Sequence, residues 1–177
     1  LFQESFIYDS YANQIGKGTH KALERFDKFK RKVSKNNTRD CYVLKADIKH
    51  YFEEVDHEVL INIIRKKIKD DRIIRLISII LANHTIMGKY GKGMPLGNLT
   101  SQFFANVYLN ELDQFVKHIL KVKYYIRYVD DFVILHESKE QLERWKTMID
   151  IFLNKELKIR LHPNKSQIVK LENGIKF

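Results

Sequence analysis

The residues whose types and spacing could carry chemistry in this chain are carboxylates standing at the ends of apolar runs. Asp130 and Asp131 adjoin one another within KYYIRYVDDFVIL, Lys123–Leu135, flanked by two runs rich in β-branched and aromatic residues, Tyr124–Val129 and Phe132–Leu135. Such runs favour strands, and the two-residue break predicts a tight hairpin with both carboxylates at its tip. Adjacent aspartates repel each other and cannot pack in an apolar core, so they are either a solvated turn or oxygen ligands for a hard cation. Asp is a favoured turn residue whatever the function, so the pair alone leaves both readings open. A third carboxylate, Asp47, ends the short apolar run Tyr42-Val43-Leu44-Lys45-Ala46. If that run lies beside the hairpin, as in a split βαβ arrangement, Asp47 and Asp130 converge on one edge of a sheet.

The remaining elements must hold these ends in place. Behind Gly16-Lys17-Gly18, with Thr19 as N-cap, the stripe Ala22, Leu23, Phe26 and Phe29 predicts a basic helix, either a solvated face or a surface that meets phosphates. Asp56 is the expected N-cap of a helix from about His57 to Lys69 with the stripe Leu60, Ile64 and Ile68. A second helix over Arg72–Asn83 carries Ile73, Leu76, Ile77 and Ile80. After a Gly-rich stretch, Phe104, Tyr108, Leu112, Phe115 and Ile119 recur at helical steps from Ser101 onward. Gln141–Leu153 is a further amphipathic helix, and Leu157–Leu161 and Gln167–Leu171 read as short strands around His162-Pro163-Asn164-Lys165. A hairpin with a two-residue turn is antiparallel, so the expectation is an α+β fold, an antiparallel sheet with helices on one face.

Composition narrows the partners. At 177 residues and 44% hydrophobic the chain can bury one good core, and 32 Lys+Arg against 22 Asp+Glu give a net charge of +10. That balance points to a polyanion, nucleic acid or a membrane surface. No stretch is long and apolar enough to span a bilayer, and LFQESF lacks the basic-then-apolar pattern of a signal peptide, so a soluble, cytoplasmic protein is expected. Cys41 is the only cysteine, which excludes a disulfide framework and a cysteine zinc site and leaves it a small core residue. The histidines are scattered without metal-ligand spacing, and two glycosylation sequons carry no weight without secretion.

Taken in order, Asp47 at a strand end followed by aromatics, Gly97-Asn98-Leu99-Thr100-Ser101-Gln102 opening a helix, Tyr128-Val129-Asp130-Asp131 on a hairpin, and Lys165 further on resemble successive palm motifs of reverse transcriptases. The resemblance covers nearly the whole chain. It implies an RNA-directed DNA polymerase of a bacterial retroelement, built as a ferredoxin-like palm over 41–177 with fingers helices inserted at about 57–95 and partial fingers over 1–40. Asp47, Asp130 and Asp131 are then the catalytic carboxylates, with the Ile48 carbonyl beside them, holding two Mg²⁺ ions or Mn²⁺. Phe52 corresponds to the aromatic that excludes a 2′-hydroxyl and so selects a dNTP. Leu96, Gly97 and Gln102 border the incoming nucleotide or template. Lys165 corresponds to a lysine beside the outgoing pyrophosphate. The implied partners are an RNA template, a DNA or RNA primer and a possible accessory protein, with no membrane.

Two departures refine this. The Leu-Gly-Asn-Leu-Thr-Ser-Gln form of the second motif resembles diversity-generating retroelement enzymes, with group II intron and retron enzymes as the rivals within the class. The family's thumb has no counterpart before Phe177, nor its first fingers motif near the start, so a fingers–palm piece with weak or no activity of its own is expected. The reading outside this class is a nucleic-acid-binding palm without chemistry; a metal-dependent nuclease fits the hairpin carboxylates less well. Leu96 cannot make the hydrogen bonds a Gln would offer an incoming nucleotide. Leu96→Gln is therefore expected to lower misincorporation, read by sequencing the products copied from a defined template; an unchanged error rate would remove this role for Leu96.

Overall fold

The structure, a computed structural model, describes residues 2–83, 90–95 and 98–171. Its sheet begins with β1 (Tyr42–Ala46), whose alternating side chains bury on both faces because both are covered. β2 (Tyr125–Tyr128) and β3 (Asp131–His136) form the expected hairpin, and β4 (Gln167–Lys170) completes a four-stranded sheet in the order β2-β3-β1-β4 with every pairing antiparallel. With helical segments between β1 and β2 and between β3 and β4, this is the split βαβ topology read from the sequence.

Period-two alternation sorts the strands between two apolar clusters. Leu44, Ala46, Tyr125, Phe132 and Ile134 face the larger cluster, shared with α5 (Leu99–Gln114) and α6 (Lys139–Leu157). Val43, Ile126 and Leu135 face the other way, onto Phe26, Phe29 and Val33 of α1 (Thr19–Val33). The expectation of helices on one face thus holds for α5 and α6, and α1 adds cover to the opposite face. The edge of β2 is closed by the N-terminal segment: Arg127 N–H donates to Asp9 O and Tyr11 N–H to Arg127 O, both at 3.0 Å. An unpaired strand edge is thereby avoided.

Local readings change where the burying face is decided by packing. The helix α1 starts after Gly18, so Thr19 is its first residue and not its cap, and the buried stripe runs Phe26, Phe29, Val33, leaving Leu23 exposed. The short helix α2 (Tyr51–Glu54) leads into α3 (His57–Arg65), which ends earlier than expected but is capped as read, Asp56 accepting from Val59 N–H at 3.0 Å. In α4 (Asp71–Ala82) Ile74, Ile77 and Leu81 are buried while Ile73 and Leu76 are exposed, so the core-facing stripe is one step round from the one expected. Leu157–Leu161 is not a strand. The helix α6 continues to Leu157, Lys158 turns left-handed (φ 51), Ile159 and Leu161 pack into the larger cluster, and Leu161 makes an isolated antiparallel bridge to Ile48 beyond the end of β1.

Most of α5 is buried, and it carries polar groups inward. Asp113 and Arg127 are fully buried and paired at 2.6 Å. Asp113 Oδ1 also accepts from Arg127 Nε at 2.8 Å and Tyr125 Oη at 2.7 Å, and Arg127 Nη1 donates to Asn106 Oδ1 at 3.1 Å and to the Val129 carbonyl at 2.9 Å. A bidentate guanidinium–carboxylate pair with its remaining donors satisfied offsets the desolvation that burying two charges requires. Removing one member strands the other in a dry core. Asp113→Ala is expected to cost about 3–5 kcal/mol, read as a lowered midpoint in urea denaturation.

Candidate active site

Asp47 follows β1 directly and is fastened from below by the connection into β4. Its carbonyl accepts from His162 N–H at 2.7 Å and from Ser166 Oγ at 3.3 Å, and its amide donates to Ser166 Oγ at 3.4 Å. Its carboxylate accepts from Lys165 Nζ at 2.9 Å. The turn that presents Lys165 closes on a side chain: the amides of Asn164 and Lys165 both point to His162 Nδ1 at 3.3 Å. The Ile48–Leu161 bridge is made by Lys49 N–H on Arg160 O and His162 N–H on Asp47 O, so it does not draw on the Ile48 carbonyl.

The hairpin differs by one residue from its expected form. Tyr128 pairs with Asp131, so the two-residue turn is Val129-Asp130, and Asp131 is the first residue of β3 instead of half of the tip. Val129 has φ 55, a left-handed conformation unfavourable for a β-branched residue. The bond from Arg127 Nη1 to its carbonyl ties this turn to the buried ion pair. The β1–β3 register continued one step beyond Ala46–Phe132 sets Asp47 opposite Asp131. Three carboxylates thus gather toward one edge of the sheet.

Their electrostatics carry the mark of that placement. The Asp130 carboxyl titrates above the ordinary carboxylate range, first because burial disfavours its charged form and then because Asp131 and Asp47 are close. Asp131 is raised by burial of its carboxyl and by Asp47, with Lys165 and Lys45 opposing. Lys165 is raised by its bond to Asp47. Among the described residues no group of three or more His, Cys, Asp or Glu side chains is drawn together tightly enough to hold a metal ion. The donor chemistry nevertheless fits a hard divalent cation: the ionisable donors are carboxylates, and their mutual repulsion is what such an ion relieves.

A groove of about 530 Å³ runs from this edge to the start of α1, lined by Asp47, Asp131, Lys165, Tyr128, Leu23 and Thr19. Leu23, off the core stripe, forms apolar wall here, and Thr19 Oγ1 donates to Tyr128 Oη at 3.3 Å. Phe52 is half-buried at the margin of the larger cluster and packs edge-on against Tyr51 at 5.3 Å, while Tyr51 is buried within it and donates to Ala105 O at 2.8 Å. Gln102 lies on the first turns of α5, beside a separate groove shared with Gln3 and Asn13. Leu96 and Gly97 lie outside the described residues. Lys17 does not stand free for phosphates: Nζ donates to Tyr8 O at 2.5 Å and Ser10 O at 2.9 Å, and lies over the Tyr8 and Tyr11 rings. The residues missed from the sequence, Arg127, Asp113, His162 and Ser166, act through backbone or buried partners, and only the charge of Arg127 inside an apolar strand run was a visible signal.

The fold is that of a polymerase palm with fingers. Solved telomerases superpose on it: one from Candida tropicalis, truncated from its C-terminal domain, at a TM-score of 0.69 and 18% identity over 95% of this chain and 37% of that one, and one from Candida albicans at 0.70 and 10% over 97% and 33%. Residues 2–177 match the family described as reverse transcriptase (RNA-dependent DNA polymerase), and the chain belongs to that family. Among curated relatives, Protein YkfC of Escherichia coli is 28% identical over 79% of this chain and 46% of its own length. The group II intron-encoded protein LtrA of Lactococcus lactis is 26% identical over 77% and 34%. The chain therefore spans less than half the length of these relatives. No helix among the described residues is long and apolar enough to cross a membrane.

The raised carboxyls make stability depend on pH. A carboxyl whose folded value exceeds its unfolded one binds its proton more tightly when folded, so stability falls as pH rises through that interval and the deficit persists above it. Asp130→Asn removes the deficit. Its melting temperature at pH 7 is expected to rise by about 2 °C, on a scale of roughly 2–4 °C per kcal/mol for a chain of this size. The gain should vanish as pH falls toward the ordinary Asp value of 3.8; a scan showing the same difference from the parent at both pH values would refute a carboxyl raised by burial and its acidic neighbours.

Proposed function

We propose that this chain is the core of an RNA-directed DNA polymerase that joins deoxynucleotides to a primer 3′-end on an RNA template and releases pyrophosphate. The observation that carries this reading is the gathering of Asp47, Asp130 and Asp131 at one sheet edge, with raised Asp130 and Asp131 carboxyls and one lysine in contact. An unused set of facing carboxylates costs stability through repulsion, and a site that holds cations has a reason to keep it.

Asp47 and Asp130 would hold Mg²⁺, or Mn²⁺, as a pair of ions, with Asp131 as the supporting charge and the Ile48 carbonyl as a further oxygen. Such ions neutralise charge on the attacking and leaving oxygens of phosphoryl transfer. Lys165 restrains Asp47 and carries an ammonium that can neutralise or protonate departing pyrophosphate. Phe52, with part of its ring outside the core, excludes a 2′-hydroxyl, while Leu96, Gly97 and Gln102 border the nucleotide and template. The partners in this reading are an RNA template, a DNA or RNA primer, dNTP and an accessory protein, and the units are fingers over 1–40 and palm beyond, with the helices of 57–95 as fingers. Of the retroelement kinds the motifs resemble, the kinship to LtrA favours the group II intron kind.

A second reading, a palm that binds nucleic acid without chemistry, is favoured by one observation: Asp47 is engaged by Lys165 and no compact set of three ligands exists among the described residues. Primer extension on an RNA template with Mg²⁺ separates the two. Incorporation is expected to fall by at least about 10³-fold in Asp130→Ala, on the scale of losing a principal charge-stabilising group, and Phe52→Ala is expected to admit ribonucleotides. Retained RNA binding without incorporation would establish the second reading.

A further inference from the structure

The far end of the sheet holds a basic cavity that the reaction above does not use. Lys32 and Lys35, from the end of α1 and the turn after it, and Lys121 and Lys123, from the connection into β2, line one cavity of about 370 Å³. That volume is within the range of small-ligand sites, about 300–1,000 Å³. All four lysines are exposed, and none is in an ion pair among the described residues. The one acid on the rim, Glu137, faces Arg39 at 3.5 Å. Lys35 (φ 45) and Lys121 (φ 54) sit in left-handed backbone at the ends of helical segments, so the chain reverses there and the positive charges of two separate connections meet. Like charges brought together without counter-charge repel, and a phosphodiester chain relieves that repulsion.

The walls are aromatic. Tyr124 packs edge-on against Phe29 and His136 edge-on against Trp145, each at 5.1 Å, which fixes the rings while part of Tyr124 and Trp145 remains open to the cavity. Aromatic faces interleaved with lysines are what single-stranded nucleic acid requires, since an unstacked base can lie on a ring while its neighbouring phosphates meet cations. A duplex keeps its bases inside and would use the lysines alone; an acidic peptide would leave the rings unused. His136 and Asp131 stand at opposite ends of β3, about 17 Å apart at the rise of an antiparallel strand.

We propose that this cavity is a nucleic-acid site separate from the catalytic edge, taking one base of a single strand against Tyr124 and Trp145 with the flanking phosphates on Lys32, Lys35, Lys121 and Lys123. The site holds a strand at the back of the palm and does not depend on the chain being a polymerase. Trp145 is the only tryptophan in the chain, so its fluorescence reports on the cavity directly.

The test is titration of Trp145 fluorescence with a single-stranded uridine 12-mer. Saturable quenching is expected, with affinity falling at least tenfold when the four lysines are changed together to Gln. The slope of log K against log salt should then shrink by about 3, at roughly 0.7 for each single-strand phosphate no longer neutralised. Far-UV circular dichroism and melting temperature check that the variant folds; if it does not, Lys121→Gln with Lys123→Gln alone is expected to weaken binding at least threefold. The four Lys→Arg changes should retain binding. Absence of quenching in the parent, equal quenching in a folded Gln variant, or equal binding of RNA duplex or poly-glutamate would overturn the proposal. Primer extension is scored separately: quenching without extension leaves this site standing, and extension without quenching removes it alone.

Discussion

The buried pair of Arg127 and Asp113 is the interaction on which the site depends. A guanidinium in the apolar interior is tolerable only with its charge matched and its donors used, and here Asp113, Asn106 and the Val129 carbonyl use them. Three parts of the chain are joined by that one side chain: α5 supplies the acceptors, β2 carries the arginine, and the turn that presents Asp130 receives its last donor. The backbone of Arg127 also pairs with the segment from Asp9 to Tyr11, which closes the outer strand edge. A left-handed valine is costly in isolation, and it persists where surrounding bonds over-determine it.

The other side of the site is held by different means. Asp47 is fixed through its own backbone, by His162 and Ser166, and through Lys165, whose turn folds onto the His162 ring. One carboxylate is thus set by a buried ion pair and the other by a surface turn. The hairpin, anchored in the core, is the stiffer half; the Lys165 contact, exposed to solvent, can exchange when a cation or phosphate competes for either partner.

Much of this was legible beforehand. The β-branched runs around Asp130 and the apolar run before Asp47 gave the strands, and a two-residue turn left no alternative to antiparallel pairing. The positions that depart from expectation share a cause. Ile73, Leu76 and Leu23 are as apolar as the residues buried beside them, and the choice of face depends on which neighbour is packed against the helix. Leu157 to Leu161 alternates like a strand, but α6 runs on through Leu157 because its preceding turns are already packed on the sheet.

The sequence by itself determined the chemistry of the donors, the order of the elements, the family and the excess of positive charge, because each depends on residue type or on spacing along one element. Only the tertiary structure decided the turn register at Val129-Asp130, the pairing of Lys165 with Asp47, the tethering of Lys17, and the meeting of four lysines behind the sheet. The Lys165 pairing and the lysine cavity depend on residues far apart in the chain, the turn and the Lys17 tether on how a non-repeating loop closes, and a repeat of two or 3.6 residues carries no information about either.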